Sequence, residues 1–236
     1  MEWEIIHIDE TDSTNNWLRN RTGAQASCVV VADFQTSGRG QGSNKWESER
    51  GQNLLCSILL HPKDIPANKQ FLISMAMANS IAKVVSKYVK DVSVKWPNDI
   101  YVGDRKICGI LIENRLQGDV IKDSILGVGL NVNQLRFVSD APNPISLANL
   151  TGKSFDRDEL LKQLLEAFDG EWADADGVRS RYLAQLYRRQ GFFRYRDSLS
   201  EFNAELMTVE DDGHLVLRTI DGYERRYAFK EVQFIV

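Results

Sequence analysis

The chain has 236 residues, 43% hydrophobic and 26% charged, the composition of an ordinary globular protein and not of a disordered one. Its length fits one large domain or one domain with a small appendage. Lys+Arg total 29 and Asp+Glu 33, a formal net charge of −4, which argues against a protein whose main task is to grip nucleic acid.

In chain order, residues 3–8 (WEIIHI) read as a first strand, followed by Asp12 or Ser13 as the N-cap of a short helix carrying Trp17 and Leu18. Residues 27–33 and 53–60 are continuous apolar runs, the signature of buried strands, and they flank a Gly-rich polar stretch from Thr36 to Gln52. An apolar stripe at helical spacing runs through Phe71, Leu72, Met75, Ala78, Ala82, Val85 and Val89, predicting a helix over 68–90. Short β-rich segments follow at 92–96, 100–102, 107–113 and 125–132, with Gly103-Asp104 as a hairpin turn. Asp156-x-x-Glu159 opens a helix with Leu160, Leu161, Leu164, Leu165 and Phe168 on one face. A further helix is expected near 178–189, with Arg179, Arg181, Arg188 and Arg189 read mainly as its solvated face. From 203 onward apolar and polar residues alternate between turn signals, which predicts short antiparallel strands. From Asp197 to the end there are four Lys/Arg against nine Asp/Glu, so this module is acidic and the rest nearly neutral.

No apolar run approaches the roughly 20 residues of a membrane-spanning helix, and the acidic N-terminus is unlike a secretory signal. Cys28, Cys56 and Cys108 are widely spaced and read as reduced core thiols, as expected of a cytoplasmic protein. The histidines His7, His61 and His214 have no triad or zinc-site spacing.

Five stretches could carry chemistry. Residues 35–46 (QTSGRGQGSNKW) could wrap backbone N–H groups around an anion, with Arg39 and Lys45 adding charge and Trp46 covering a flat ligand; a flexible solvated loop fits the same composition. Lys95 beside Asn98-Asp99 suits nucleotide phosphates and Mg²⁺, while Asn-Asp also forms ordinary turns. Lys106 opens a buried strand and could stabilise developing negative charge, or simply be solvated. Gly109 interrupts that strand, as close approach of a ligand or backbone would require. In Gly127-x-Gly129-x-Asn131 the asparagine could read a base or sugar edge, or cap a strand. Residues 12–16 (DSTNN) suit helix capping and could equally bond a small polar ring.

Together and in this order, DSTN (12–15), Q-x-x-GRG…W (35–46), KWPNDI (95–100), RK-x-x-G-I-L-x-E (105–113) and G-x-G-x-N-V (127–132) resemble the biotin protein ligases, or biotin–[acetyl-CoA-carboxylase] ligases, across nearly the whole chain. The resemblance implies an α+β fold: a class II aminoacyl-tRNA-synthetase-like catalytic domain with a mixed β-sheet over residues 1–192, and a small SH3-like C-terminal barrel over 193–236. Only eleven residues precede Asp12, too few for the N-terminal DNA-binding domain some members carry, so the monofunctional type with no DNA partner is expected.

The implied reaction is activation of biotin by ATP to biotinyl-5′-AMP, then transfer to a lysine of a biotin carboxyl carrier domain. By resemblance, Lys106 and Arg39 are catalytic. Ser13, Thr14, Asn15, Gln35, Gly38, Arg39, Lys106, Gly109 and Leu111 hold biotin. Arg39, Gly40, Gln41, Trp46, Lys95, Asn98 and Asn131 hold the nucleotide, and Asp99 partners Mg²⁺. The family's usual second basic position is Gln41 here and its third glycine is shifted, which leaves the loop's backbone path open. An exposed sheet edge would permit a homodimer. The alternatives are a lipoate or octanoate ligase of the same fold, a non-catalytic biotin- or nucleotide-binding module, and a nucleic-acid-binding regulator.

Overall fold

The computed structural model describes residues 2–21, 26–139 and 143–235. The chain runs β1 (Glu4–Thr11), α1 (Thr14–Arg19), β2 (Cys28–Gln35), β3 (Leu54–Leu60), α2 (Phe71–Val85), β4 (Val92–Lys95), β5 (Asp99–Val102), β6 (Arg105–Gln117), β7 (Val120–Leu130), α3 (Leu147–Thr151), α4 (Arg157–Ala173) and α5 (Ala175–Ala184). Then come β8 (Phe193–Arg196), β9 (Glu201–Val209), β10 (Leu215–Thr219), β11 (Glu224–Tyr227) and β12 (Gln233–Phe234). The first seven strands form a mixed sheet in the order β1-β2-β3-β7-β6-β5-β4, parallel only between β1 and β2. The last five form an antiparallel sheet in the order β11-β10-β9-β8-β12.

The period-2 alternation of strands sorts the large sheet into two faces. On one face Val29, Val31, Leu54, Cys56, Ile58, Leu126 and Val128 meet the apolar stripes of α2 and α4 in the main core. On the other, α1 covers only part of the sheet: Leu18 and Trp17 pack on Cys28, Val30, Leu59 and Ile125. Beyond α1 that face continues along β7 as Gly127 and Gly129, whose missing side chains let Asn15 and Trp46 approach the sheet, and the site forms here. All three cysteines are free and buried; burial pushes the Cys56 thiol up to about 12 and the Cys108 thiol well above its ordinary value, so neither is a ready nucleophile.

The second sheet is fastened to the first by specific contacts. Trp96 Nε1 donates to the Gly213 carbonyl at 2.9 Å, and Phe229 packs edge-on against Trp96 and Phe71. Of the four arginines expected to form a solvated face, Arg189 is exposed, while Arg179 and Arg188 tie the C-terminal segment and Arg181 ties α4. Arg179 donates to Thr208 and to the Val209 carbonyl, Arg188 to the Ile235 carbonyl, and Arg181 clasps Glu171 and Asp174. The helix expected over 178–189 ends at Ala184 because Val94 captures the chain: the Val94 N–H donates to the Gln185 carbonyl and the Tyr187 N–H to the Val94 carbonyl. Leu186 and Tyr187 are buried in that bridge, not on a helix. The α4 start is as read, with Asp156 accepting from the Asp158 and Glu159 N–H groups. A full capping box, Ser146 with Asn149, opens α3, which the apolar periodicity did not signal. No helix among the described residues is long and apolar enough to cross a membrane.

Candidate active site

Register builds the floor. Gly109 on β6 pairs with Gly129 on β7, Leu111 with Gly127, and Glu113 with Ile125. The two opposed glycines make a flat patch, and the Trp46 indole lies on it. A Cβ at Gly129 would stand 2.5 Å from Trp46 Cε2, and one at Gly109 would stand 2.8 Å from Cζ3. Neither position can carry a side chain while the indole is there. The surrounding cleft encloses about 580 Å³.

At one end lies a buried polar network at the start of α1. Gln35 Oε1 accepts from the Thr14 N–H at 2.8 Å and its hydroxyl at 3.1 Å. The Ser57 hydroxyl lies 2.7 Å from Thr14 Oγ1 and 2.6 Å from Asn15 Oδ1. Asn15 Nδ2 donates to the Leu111 carbonyl and to Glu113. Ser13 stands at the N-cap, makes no side-chain cap bond and lines the cleft. Ser57, fully buried in the run Leu54–Leu60, is the supporting residue the sequence reading missed; its only signal is one hydroxyl in an otherwise apolar strand.

At the other end cations gather. Lys106 Nζ is 2.6 Å from Asp99 Oδ1 and 5.5 Å from the centre of the Trp46 ring. Lys95 Nζ sits between the rings of Tyr101, at 5.0 Å, and Phe234 of the second sheet, at 5.1 Å. Burial holds Lys95 below the ordinary lysine range, with Lys106 and Arg188 acting the same way and Asp99 opposing. Arg39 lies instead beside the polar end, where its Nη1 donates to Asn16 Oδ1 at 3.0 Å and Glu113 Oε1 at 3.3 Å.

The 38–46 stretch closes as a hairpin. Arg39 bridges Lys45, the Gly40 N–H donates to the Asn44 carbonyl, and the Trp46 N–H to the Gly38 carbonyl. The shifted glycine, Gly42, occupies the left-handed position at the tip with φ +67°, which few other residues adopt. The stretch is thus a short paired turn whose tip, Gly42 to Lys45, is exposed as a solvated loop would be. A second lip is tied down by Glu47, which accepts from the N–H groups of Val138 and Ser139 and brings Phe137 to the rim.

Of the residues singled out from the sequence, Ser13, Thr14, Asn15, Gln35, Arg39, Gly40, Gln41, Trp46, Lys95, Asn98, Asp99, Lys106, Gly109, Leu111 and Asn131 all line this one cleft. Gly38 does not. It closes the base of the hairpin, where a Cβ would meet the Trp46 carbonyl oxygen at 2.6 Å. Two of the lining amides are partly spent on the scaffold: Asn98 Nδ2 donates to the Ile110 carbonyl and Asn131 Nδ2 to the Ile145 carbonyl. The buried Asn131 Oδ1 has no partner among the described residues and remains an acceptor for a ligand. None of the three histidines lines the cleft.

The cleft thus runs from a polar end to a cationic end across the glycine floor. Residues 6–131 match the biotin/lipoate A/B protein ligase family, and the chain belongs to that family. It is 33% identical over 221 residues to the bifunctional ligase/repressor BirA of Escherichia coli K12, covering 86% of this chain and 68% of that protein. It is 27% identical over 224 residues to the biotin–[acetyl-CoA-carboxylase] ligase of Paracoccus denitrificans, covering 89% and 92%. Its fold matches the biotin protein ligase from Aquifex aeolicus in complex with biotin and ATP, with a TM-score of 0.80 and 24% identity over 98% of this chain and 99% of that one.

Proposed function

We propose that this chain is a biotin protein ligase that makes biotinyl-5′-AMP and passes biotin to a carrier lysine. The observation that carries the reading is the single cleft in which the Gly109–Gly129 floor and the Thr14–Gln35–Ser57 network adjoin Lys95, Lys106 and Arg39. A fused ring fits between the glycine floor and the polar end, with its carboxylate turned toward the cations. A carboxylate oxygen then attacks the α-phosphorus, the bond to the β-phosphate oxygen breaks, and pyrophosphate leaves. A carrier lysine amine next attacks the acyl carbon and AMP departs. Cations are needed because both partners of the first step are anions; Lys106 and Arg39 supply them. The two lips at 38–46 and 137–139 shield the mixed anhydride from water.

Magnesium enters with ATP in this reading. The ion is ordinarily held by one or two carboxylates plus substrate phosphates. Asp99 is a single carboxylate paired by charge with Lys106, so the protein residues alone do not build a magnesium site. Residues 1–192 serve as the catalytic unit and 193–236 as a C-terminal unit in a cytoplasmic enzyme, with the carrier domain of a carboxylase as partner.

The direct test is pyrophosphate–ATP exchange with biotin, lipoate or octanoate, followed by transfer to an apo carrier domain. Exchange with biotin alone is expected; exchange with lipoate alone overturns the reading. One pH dependence follows from Lys95. Its burial favours the neutral amine, so its charge is lost, as pH rises, before that of an ordinary lysine. KM for ATP should rise on the alkaline side, starting below the ordinary lysine range. Lys95→Arg, which keeps its charge and stacks between Tyr101 and Phe234, should flatten that limb. An identical alkaline limb in both proteins would remove Lys95 from nucleotide binding.

A further inference from the structure

Glu113 is outside the reaction described above, yet it holds one of its two catalytic cations. It lies on the site face of β6, two residues beyond Leu111, with about a quarter of its side chain exposed. Oε1 accepts from Arg19 Nη2 at 2.5 Å and from Arg39 Nη1 at 3.3 Å, and Oε2 accepts from Asn15 Nδ2 at 3.0 Å. The two guanidinium contacts are unequal. Arg19 makes the short, charge-assisted bond, and Arg39 makes the long one. Arg39 also rests on Asn16 Oδ1, and Asn16 is itself held by Asp12.

This arrangement has a direction built into it. If Arg39 leaves, both Glu113 oxygens keep a donor, so no carboxylate oxygen is stranded. Arg39 is carried on the short 38–46 hairpin, not on the rigid sheet, and over a third of its side chain is exposed. An anionic ligand in the cleft offers Arg39 two oxygens in place of one long contact.

We infer that Glu113 is the resting seat of Arg39: a carboxylate that competes with the ligand's anionic group for that guanidinium, with Arg19 weakening its hold. Glu113 is thus a positioning residue that lowers the affinity of the cleft for the adenylate. The inference rests on the biotin–ATP reading of the cleft and deepens it.

The experiment is calorimetric titration of a non-hydrolysable biotinyl-adenylate analogue into the wild type, Glu113→Gln, Arg19→Ala, Arg39→Ala and the Glu113→Gln/Arg39→Ala pair, with thermal unfolding to check the fold. Glu113→Gln keeps the shape and the acceptor oxygen but removes the competing charge. It should bind the analogue about two- to fivefold more tightly, the range of a solvent-exposed ion pair. Arg19→Ala leaves Arg39 as the only guanidinium of the two on Glu113 and should bind it more weakly. In the Arg39→Ala background Glu113→Gln should change nothing further. A merely structural Glu113 would weaken binding in both single variants. Weaker or unchanged binding by Glu113→Gln, or the same gain without Arg39, overturns the inference and leaves the proposed function standing. A wild-type protein that does not bind the analogue overturns the reading of the cleft and this inference with it.

Discussion

Replacing Lys106 by alanine should lower biotin-dependent pyrophosphate exchange by about 10²–10³-fold, the usual cost of deleting one group aimed at developing charge. Two effects act in the same direction. The ammonium that would offset charge on the attacked phosphate is gone, and a charge-assisted bond of about 1.5–3 kcal/mol goes with it. In addition Asp99, only 16% exposed at its side chain, loses its partner at 2.6 Å and becomes an uncompensated anion facing a polyanionic substrate. The second effect can be separated from the first. Lys106→Ala with Asp99→Asn should recover much of the lost ATP affinity, because the repulsion is removed, but little of kcat, because no cation has returned. Lys106 lies at the rim of β6, clear of the main core, so the unfolding midpoint should move little in either protein. Wild-type exchange in Lys106→Ala would take this lysine out of the reaction.

The parts of the fold that depend on local pattern were legible in the sequence. Continuous apolar runs located β2 and β3 within a residue or two, and the Gly103-Asp104 turn located the β5–β6 hairpin, where Gly103 takes φ +57°. Polar residues hid the full length of β6 and β7. The pair runs out to Gln117 and Val120 because Asn114 meets Ser124 and Arg115 meets Asp123 across the strands, and a polar stretch of that kind carries no apolar signal. The helix expected over 68–90 is shorter, Phe71–Val85, because Ala67–Lys69 forms a separate 3₁₀ turn and the chain leaves the helix after Ser86.

The membership of the site was legible from its motifs, but its joinery was not. Nothing in the spacing says that Gly109 and Gly129 are opposite one another, since that depends on the register of two strands joined through Gln117–Val120. Trp46 was expected on the nucleotide side; its indole rests on that glycine pair, within reach of Lys106, between the polar and cationic ends. The neighbours of Lys95 in sequence suggest a phosphate ligand, but do not reveal its aromatic clamp, completed by Phe234, 139 positions later. Arg39, expected on the ligand, is held by Glu113 and Asn16.

Gly129→Ala should cost at least about tenfold in biotin affinity while leaving the fold intact, a split that only a site glycine would show. The added methyl would stand 2.5 Å from Trp46 Cε2 and 2.7 Å from Nε1, distances real Cβ atoms do not tolerate. The indole has to lift from the sheet. It cannot slide away freely, because the Trp46 N–H is fixed to the Gly38 carbonyl at 2.9 Å, so the displacement is passed to the 38–46 hairpin that carries Arg39. No hydrogen bond among the described residues anchors the buried Nε1, and the ring holds its place only by lying flat. Stability should be unchanged or slightly improved: Leu126, Val128 and Leu130 face the opposite side of β7, and alanine loses less backbone entropy than glycine on entering a strand. The control is Trp46→Ala, which removes the atoms the methyl would strike. If the methyl acts through the indole that covers the floor, Gly129→Ala should add little to the loss already caused by Trp46→Ala, a non-additive pair expected of residues in direct contact. Wild-type biotin affinity in Gly129→Ala would mean that the ligand lies elsewhere in the cleft. Full additivity with Trp46→Ala would mean that the methyl blocks the ligand itself and that the indole is a bystander.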